Sequence, residues 1–203
     1  MSPRRYSNQK RQESFAATRR TIVEAAKSLH AERGVLATSW QDIADRAAVS
    51  PVTVYRHFRS LTDLIPACAQ SFVESVAPIT EEQARAAFAE LPSASQRLER
   101  LVRDDCDCYQ RGRGWFHAAM RESDLVPELG VIVFSQQQTL RTLIRAALDD
   151  EAPDQLVASL LAVIDFPFWH SLVEAGVSEE AAPTVVLTIC LDLMARDSAI
   201  TLP

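Results

Sequence analysis

Residues 38–58 read T-S-W-Q-D-I-A-D-R-A-A-V-S-P-V-T-V-Y-R-H-F, and this stretch decides the fold. It contains two helix start signals close together. Ser39, followed three residues later by Asp42, is a variant of the capping box. Ser50 followed by Pro51 is the second signal, because proline at the first helical position loses no hydrogen bond. The stretch therefore predicts two short helices joined by a tight link.

Apolar residues in these two predicted helices recur at helical spacing. Ile43, Ala44 and Ala47 form a small face on the first helix, and Val54 and Phe58 share a face on the second. The rest of the second helix presents hydrogen-bond donors and one aromatic ring, carried by Thr53, Tyr55, Arg56 and His57. This arrangement is typical of a helix-turn-helix, whose second helix enters the major groove of DNA.

The same residues resemble the TetR family of bacterial transcription regulators. The matching patterns are T-S-x-x-D-I-A at residues 38–44, A-x-V-S at residues 47–50 and T-V-Y-R-H-F at residues 53–58. The resemblance implies an all-α protein, with an N-terminal three-helix helix-turn-helix domain followed by a larger helical bundle that binds a ligand and forms a dimer. The sharp match covers residues 38–58, so it bears directly on the DNA-binding part alone.

Three residues depart from the family pattern. Ala48 and Val52 stand where the family usually has glycine, which affects the turn and the closeness of the second helix to DNA. Leu61 stands where the family often has a lysine that binds a phosphate. The resemblance therefore implies one backbone contact fewer than usual.

The resemblance also implies which residues contact DNA. The residues expected at base edges are Gln41, Val52, Thr53 and Arg56. The residues expected at phosphates are Ser39, Thr53, Tyr55 and His57, and Pro51 belongs to the same interface. Thr53 and Tyr55 could serve either purpose.

The net charge of −6 argues at first against a nucleic-acid partner, but the charge is unevenly distributed. Residues 1–60 hold 11 Lys and Arg against 5 Asp and Glu, a net charge of +6. Residues 61–203 hold 10 against 22, a net charge of −12. The pattern indicates a basic binding module on an acidic body.

Composition argues against several other classes of protein. Hydrophobic residues make up 47% of the 203 residues, so we expect a buried core and no wholesale disorder. No apolar run reaches the ~18–20 residues of a membrane span, and no apolar segment follows the basic N-terminus as in a secretory signal. The four cysteines lack the paired spacing of a zinc site, and we expect reduced thiols in the cytoplasm.

We predict three segments: a basic mobile arm at residues 1–13, the helix-turn-helix domain at 14–60, and a helical effector-binding and dimerisation domain at 61–203. The arm contains Arg4, Arg5, Lys10 and Arg11, which either follow DNA phosphates or simply keep the chain soluble.

In the body we expect a fourth helix from Ser60 to Ala77, kinked at Pro66. A further helix should begin after Ser93 and end at the glycines of residues 112–114, with a short helix after it.

The last two predicted helices, at about residues 154–175 and 179–197, are apolar around most of their circumference. A helix of this kind must bury two faces. We therefore expect a homodimer formed through these helices. The alternative is a central helix buried within a monomer.

The resemblance places aromatic residues of the body around a ligand cavity. The candidate lining residues are Tyr109, Trp115, Phe116, Met120, Phe134, Phe166 and Trp169, with His117, Gln138 and His170 as polar groups. A mostly apolar lining with a few polar groups is typical of small-molecule sites. The alternative is that these aromatic residues form ordinary core.

No nucleophile, phosphate-binding or metalloprotease motif occurs, and the four histidines are scattered, so we expect no enzyme activity, cofactor or metal. The alternative is a metal site formed by His117, His170, Asp165, Asp107 and Cys106. The sequence predicts a cytoplasmic DNA-binding transcriptional regulator, a repressor released from a palindromic operator by a small, mostly apolar effector. Two alternatives stay open: a helix-turn-helix regulator controlled by a protein partner, and an all-α enzyme.

Overall fold

The protein is all-α in the computed structural model, which describes residues 3–72, 77–148 and 152–200, with side chains from residue 9 to residue 197. These residues form helices joined by turns and contain no strand. The helices are α1 (Pro3–Arg33), α2 (Trp40–Arg46), α3 (Pro51–His57), α4 (Leu61–Ala69), α5 (Glu81–Ala87), α6 (Ala94–Glu122), α7 (Pro127–Ala147), α8 (Asp154–Ile164), α9 (Phe166–Glu174) and α10 (Ala182–Ile200). The predicted fold class is confirmed.

Both start signals of the helix-turn-helix act as predicted. The Ser39 hydroxyl accepts the Asp42 amide at 3.1 Å, and the Asp42 carboxylate accepts the Ser39 amide at 2.9 Å, which completes the capping box of α2. The Ser50 hydroxyl accepts the Thr53 amide at 3.2 Å, and Pro51 opens α3. These bonds satisfy amide groups that a helix leaves free at its start.

The link between α2 and α3 passes through a left-handed residue. Ala48 has a φ of +52°, a conformation that suits glycine. The Ala48 amide donates to the Asp45 carbonyl and the Val49 amide donates to the Ala44 carbonyl, so the link closes α2 as a Schellman motif. An alanine here costs on the order of 1 kcal/mol, which the surrounding turn must offset.

The helices α1, α2 and α3 share one small core. Ile22, Leu29, Ile43, Val54 and Phe58 are each at most 4% exposed. This core was expected from the apolar spacing, and it fixes the angle at which α3 stands out from the protein.

The start of α1 differs from the prediction. We expected an irregular arm at residues 1–13 and a helix from Ser14, whereas α1 begins at Pro3. Residues 3–13 therefore continue the helix, and residues 1–2 lie outside the described part. Phe15 in this helix is 47% exposed and packs on the end of α3.

Two glycines predicted to end a helix instead lie inside α6, which is continuous over 29 residues. A Cβ atom on Gly114 would lie 2.7 Å from the Cβ atom of Ala31, and one on Gly112 would lie 2.7 Å from the Phe116 ring. The glycines therefore let α1 and the neighbouring rings approach α6 closely, which explains their presence within a helix.

Two helices of the body are shorter than the sequence predicted. Helix α4 contains Pro66 but ends at Ala69, and residues 73–76 of its expected continuation lie outside the described residues. The helix expected across residues 154–175 breaks at Asp165, whose carboxylate caps α9 ahead of Pro167. The break bends α8 against α9 by 44°.

Within the described ranges, no single helix is long and apolar enough to cross a membrane. The bent pair α8 and α9 reaches that length and composition together. In the structure this pair buries Val157, Leu160, Ile164 and Trp169 against the protein's own core.

Candidate DNA interface and effector cavity

The exposed side of α3 forms the candidate DNA interface, together with the start of α2. Val52 is 77% exposed and Tyr55 is 49% exposed, and the Arg56 side chain is also exposed. The Tyr55 ring lies 5.4 Å from the Trp40 ring of α2, so the two helices present one surface. Of the other predicted contact residues, Ser39 and Gln41 are exposed, and Pro51 and Thr53 are half-buried.

His57 differs from the other predicted contact residues because it is only 9% exposed. Its ring centroid lies 4.0 Å from that of Phe15, and neither ring nitrogen has a hydrogen-bond partner. Burial lowers the pKa of His57, and the charges of Arg56 and Arg19 lower it further. A neutral ring beneath Phe15 does not reach a phosphate unless the start of α1 moves.

Several basic residues of the first three helices make contacts within the protein that stabilise the fold. Arg46 pairs with Glu32 at 2.7 Å, and Arg33 pairs with Asp42 at 2.8 Å, so both tie α1 to α2. The Arg19 guanidinium lies 4.1 Å from the centre of the Phe58 ring. Arg56, which carries its charge on the outer face of α3, is thus better placed for DNA than these three.

A cavity of about 100 Å³ lies inside the body, between α6, α7 and the α8–α9 junction. The lining residues are Asp105, Cys108, Tyr109, Phe116, Ala119 and Met120 of α6, Val133, Ser135, Gln136, Gln137, Thr139 and Leu140 of α7, and Asp165 and Phe166.

Three aromatic rings meet on one side of this cavity. Tyr109 packs edge-on against Phe116 and Phe166, each with its ring centroid 5.5 Å away. The Phe116 and Phe166 centroids are 5.4 Å apart. The three rings pack on one another and together form one side of the cavity lining. The sequence predicted all three residues, and Met120, as candidate lining residues.

Two carboxylates also line the cavity, and neither was predicted. Asp165 accepts hydrogen bonds from the Phe166 amide at 2.8 Å and from Gln137 Nε2 at 3.0 Å. The Oδ2 atom of Asp105 is buried and has no hydrogen-bond partner. Burial raises the pKa of Asp105 to about 7, with further contributions from the charges of Asp104 and Asp165.

The structure places the other candidate lining residues outside this cavity. Trp115 is 2% exposed and packs against Phe72, and Trp169 is fully buried behind Tyr109 and Phe166. Phe134 is 63% exposed on the outer face of α7, and Gln138 is half-buried outside the lining.

His117 and His170 lie together, but at the surface. Their ring centroids are 4.7 Å apart, beside a shallow recess that includes Arg113 and Glu174. Burial lowers the pKa of His170, and so do the charges of His117 and Arg113. Neither histidine lines the cavity, so the polar groups there are the two carboxylates and the uncharged side chains of α7.

The position of Asp105 in the sequence could have identified it as a candidate cavity residue. Asp105 precedes Tyr109 by four residues on α6, so both occupy the stripe that continues to Phe116 and Met120. A charged residue on an apolar stripe is a candidate site residue, because burial of a carboxyl group is costly. Asp165 had a weaker signal, since its position before Pro167 also suits a helix cap.

Two contacts connect the cavity helices to the DNA-binding helices. The Oε2 atom of Glu122, at the end of α6, accepts the amides of Val35 at 2.7 Å and Leu36 at 3.0 Å, in the turn between α1 and α2. The Thr62 hydroxyl of α4 donates to Glu128 of α7 at 2.9 Å. Both helices that line the cavity are therefore bonded to the segments that hold α3.

The cysteines are free thiols, and burial raises the pKa of each of them. Cys108 donates to the Phe72 carbonyl at 3.4 Å. Across the ranges that the structure describes, no group of three or more His, Cys, Asp or Glu side chains could hold a metal ion.

Residues 22–68 match the family model described as bacterial regulatory proteins, tetR family. The matched segment runs from the buried part of α1 through α2 and α3 into α4, and so includes the whole candidate DNA interface.

The whole fold is also similar to solved structures. A protein from Saccharomonospora viridis, solved in complex with choline, is 23% identical with a TM-score of 0.61, over 84% of this chain and 94% of that one. A transcriptional regulator from Aquifex aeolicus is 16% identical with a TM-score of 0.62, over 87% and 99%. A TetR family member from Streptomyces coelicolor is 20% identical with a TM-score of 0.59, over 83% and 95%. At these identities the likeness establishes the fold.

Proposed function

We propose that this chain is a DNA-binding transcriptional regulator of the TetR family, a cytoplasmic repressor released from a palindromic operator by a small effector. The match of residues 22–68 to the family model supports the family and the DNA-binding role. In this proposal residues 14–60 bind DNA, residues 61–203 bind the effector and form the dimer, and the protein has no catalytic role.

The observation that carries the proposal is the exposed face of α3. A short capped helix stands on a rigid three-helix core, with Val52, Tyr55 and Arg56 exposed. A helix presented this way can enter a major groove, where arginine reads guanine through two hydrogen bonds. Thr53 and Gln41 are placed to add base contacts, and Ser39 and Tyr55 to hold phosphates. We leave His57 outside this set because Phe15 covers it.

We infer that the bent pair α8–α9 and α10, which correspond to the last two helices predicted from the sequence, form the dimer interface. Helix α10 buries Val186 and Cys190 completely in its own core, and Leu193 packs on that same side. Leu187 and Leu191 lie on another face of the helix and stay half-exposed. A second copy would cover those residues in an isologous contact, the common arrangement of soluble homodimers. The two α3 helices would then reach half-sites about 34–36 Å apart, or a multiple of that distance.

The cavity between α6 and α7 is the proposed effector site. Its three rings form a mostly apolar wall, and both helices are bonded to the segments that hold α3. That the similar protein from Saccharomonospora viridis was solved with choline supports a small ligand in this fold. A ligand that prefers one arrangement of α6 and α7 would shift the spacing of the two α3 helices.

Selection of an operator from random-sequence duplexes, followed by titration with Arg56→Ala, tests the DNA-binding part of the proposal. Losing a two-bond base contact costs about 1–3 kcal/mol, so we expect roughly a 5- to 150-fold weaker affinity for the operator. Because the loss should be specific, binding to unrelated duplex should change much less.

Arg100→Ala is the matched control, since Arg100 is an exposed arginine of the acidic body that pairs with Asp104. Its operator affinity should equal that of the wild type. If Arg56→Ala binds the operator as tightly as Arg100→Ala does, the assignment of α3 as the reading helix is wrong.

A further inference from the structure

We propose that the cavity between α6 and α7 selects a small organic cation, an amine or quaternary ammonium compound, held by the carboxylates of Asp105 and Asp165 against the rings of Tyr109, Phe116 and Phe166. This inference rests on the proposed function for the site's role as an effector site. It departs from the apolar effector that the sequence predicted.

The charge of the cavity lining is the first argument. The lining contains two carboxylates and no lysine, arginine or histidine. A neutral or anionic ligand would leave those carboxylates without a counter-charge in a desolvated space, which is unfavourable. A cation supplies the missing charge, so the lining as a whole favours one.

The unsatisfied carboxylate oxygen of Asp105 also favours a cation. Asp105 Oδ2 is buried without a hydrogen-bond partner, whereas the Asp165 carboxylate accepts two hydrogen bonds, from the Phe166 amide and from Gln137. Buried carboxyl groups are normally paired, and those without a protein partner call for an explanation. A ligand with an N–H group or a positive charge beside Oδ2 would complete its environment.

The aromatic rings of Tyr109, Phe116 and Phe166 in the cavity lining favour an organic cation over a metal ion. The ring centroids of Tyr109, Phe116 and Phe166 lie 5.4–5.5 Å from one another, and all three rings line the cavity. A cation over an aromatic face is attracted by the ring's electrons, and this is how proteins recognise quaternary ammonium groups. A hydrated metal ion would gain little from such a wall. The volume of about 100 Å³ limits the occupant to a small molecule.

Isothermal titration of the wild-type protein at pH 8 with two matched pairs of probes tests the proposal. The first pair is choline and its neutral carbon isostere, in which carbon replaces the nitrogen; the second is isopentylamine and isopentanol. We expect each cation to bind at least about tenfold more tightly than its neutral partner. Equal affinities within both pairs, or no binding by any of the four, would overturn the proposal.

Asp105→Asn provides the second readout, because asparagine removes the charge and keeps the shape. We expect the variant to fold, since no hydrogen bond to Oδ2 is lost, and to bind cations about tenfold more weakly while isopentanol binding stays within about threefold. If the Asp105→Asn protein kept the full preference for cations over neutral probes, the charge of Asp105 would not be the source of that preference. Gln96→Glu, at the start of α6 and away from the cavity, is the control and should behave as wild type.

The pH dependence of binding separates a charge effect from a packing effect. The ionisable groups facing Asp105 are Asp104, Cys108 and Tyr109 of α6 and Asp165 at the α8–α9 junction, whereas α7 presents only uncharged side chains to the cavity. Since the pKa of Asp105 is raised to about 7, cation affinity should rise between about pH 6 and pH 8. This rise should be absent in Asp105→Asn; an identical rise in the variant would contradict the assignment.

Measuring operator affinity with each probe separates the ligand preference of the cavity from its regulatory role. If the neutral isosteres bind and weaken operator binding while the cations do not, the effector site stands and the cation preference is wrong. If cations bind without any effect on operator affinity, the ligand class stands and the regulatory role is wrong.

Discussion

Leu191→Glu should convert the proposed dimer into monomers and lower operator affinity by at least about 100-fold. Leu191 lies half-exposed on α10, on a face turned away from the buried Val186 and Cys190. Because the contact is isologous, each substitution enters the interface twice. Burying two unpaired carboxylates in an apolar contact costs several kcal/mol, enough to separate the subunits at micromolar concentration.

The loss of operator affinity follows from losing the second half-site. Two linked reading helices bind a palindrome some 100- to 10,000-fold more tightly than one of them would. Sedimentation velocity measures the first effect, and fluorescence anisotropy with a labelled operator measures the second. The two should be lost together in the same variant.

Leu125→Glu is the matched control, because it makes the same chemical change at a leucine that is 68% exposed in the turn between α6 and α7. This variant should remain a dimer. Val186 and Leu193 are unsuitable for the test, because both pack against the core of their own subunit. A Leu191→Glu protein that sediments as a dimer would contradict the proposed interface.

Glu122→Ala should lower the free energy of unfolding by about 3 kcal/mol and weaken the connection between the effector site and the DNA. One oxygen of Glu122 accepts the amides of Val35 and Leu36, and the other pairs with Arg121 at 2.9 Å. A hydrogen bond to a charged group contributes about 1.5–3 kcal/mol, and the Val35 amide would be left buried without a partner. For a chain of this length the melting temperature should fall by roughly 6–12 °C.

Two variants isolate the cause. Glu122→Gln keeps a single oxygen for both amides, so it should retain most of the stability, whereas Glu99→Ala removes a surface pair with Arg103 and should cost less than about 1 kcal/mol. Although burial alone would raise the pKa of Glu122, the bonds from Leu36, Arg121 and Val35 lower it overall. The stability from Glu122 is therefore present above its unfolded pKa and is lost as the pH falls through the folded pKa.

The effect on regulation follows from the position of Glu122. It ends α6, two residues after the cavity residue Met120, and holds the turn at Gly34, where an added Cβ atom would lie 1.9 Å from its Oε1 atom. Without this bond, a shift of α6 should move the reading helix less, so effector and operator should bind more independently. A melting temperature equal to that of Glu99→Ala would contradict the role assigned to Glu122.

The helix-turn-helix could be predicted closely because its signals are local. Ser39, Asp42, Ser50 and Pro51 determine where α2 and α3 begin through bonds to residues within three positions. Such bonds do not depend on what the rest of the chain does. The start of α1 had no comparable signal, so the burial of His57 under Phe15 was not foreseen.

The body was harder to predict because its breaks depend on distant contacts. The sequence suggests that Gly112 and Gly114 end a helix. In the structure they leave room for Phe72 and Ala31, which lie far away along the chain. Tyr109 and Phe116 were named as candidate lining residues because the family resemblance places their helix beside a ligand cavity. The carboxylates were missed because most carboxylates are exposed, and the burial of Asp105 depends on contacts that are distant along the chain.

The most direct test of the account is the operator affinity of the wild-type dimer, measured with the cavity empty and again with it saturated by the tightest-binding of the four probes. A coupling of about 1–3 kcal/mol predicts an operator affinity some 5- to 150-fold weaker with the cavity filled, and an equal weakening of the probe's affinity when the operator is bound. Operator affinities that agree within about twofold, with the cavity shown to be filled, would contradict it.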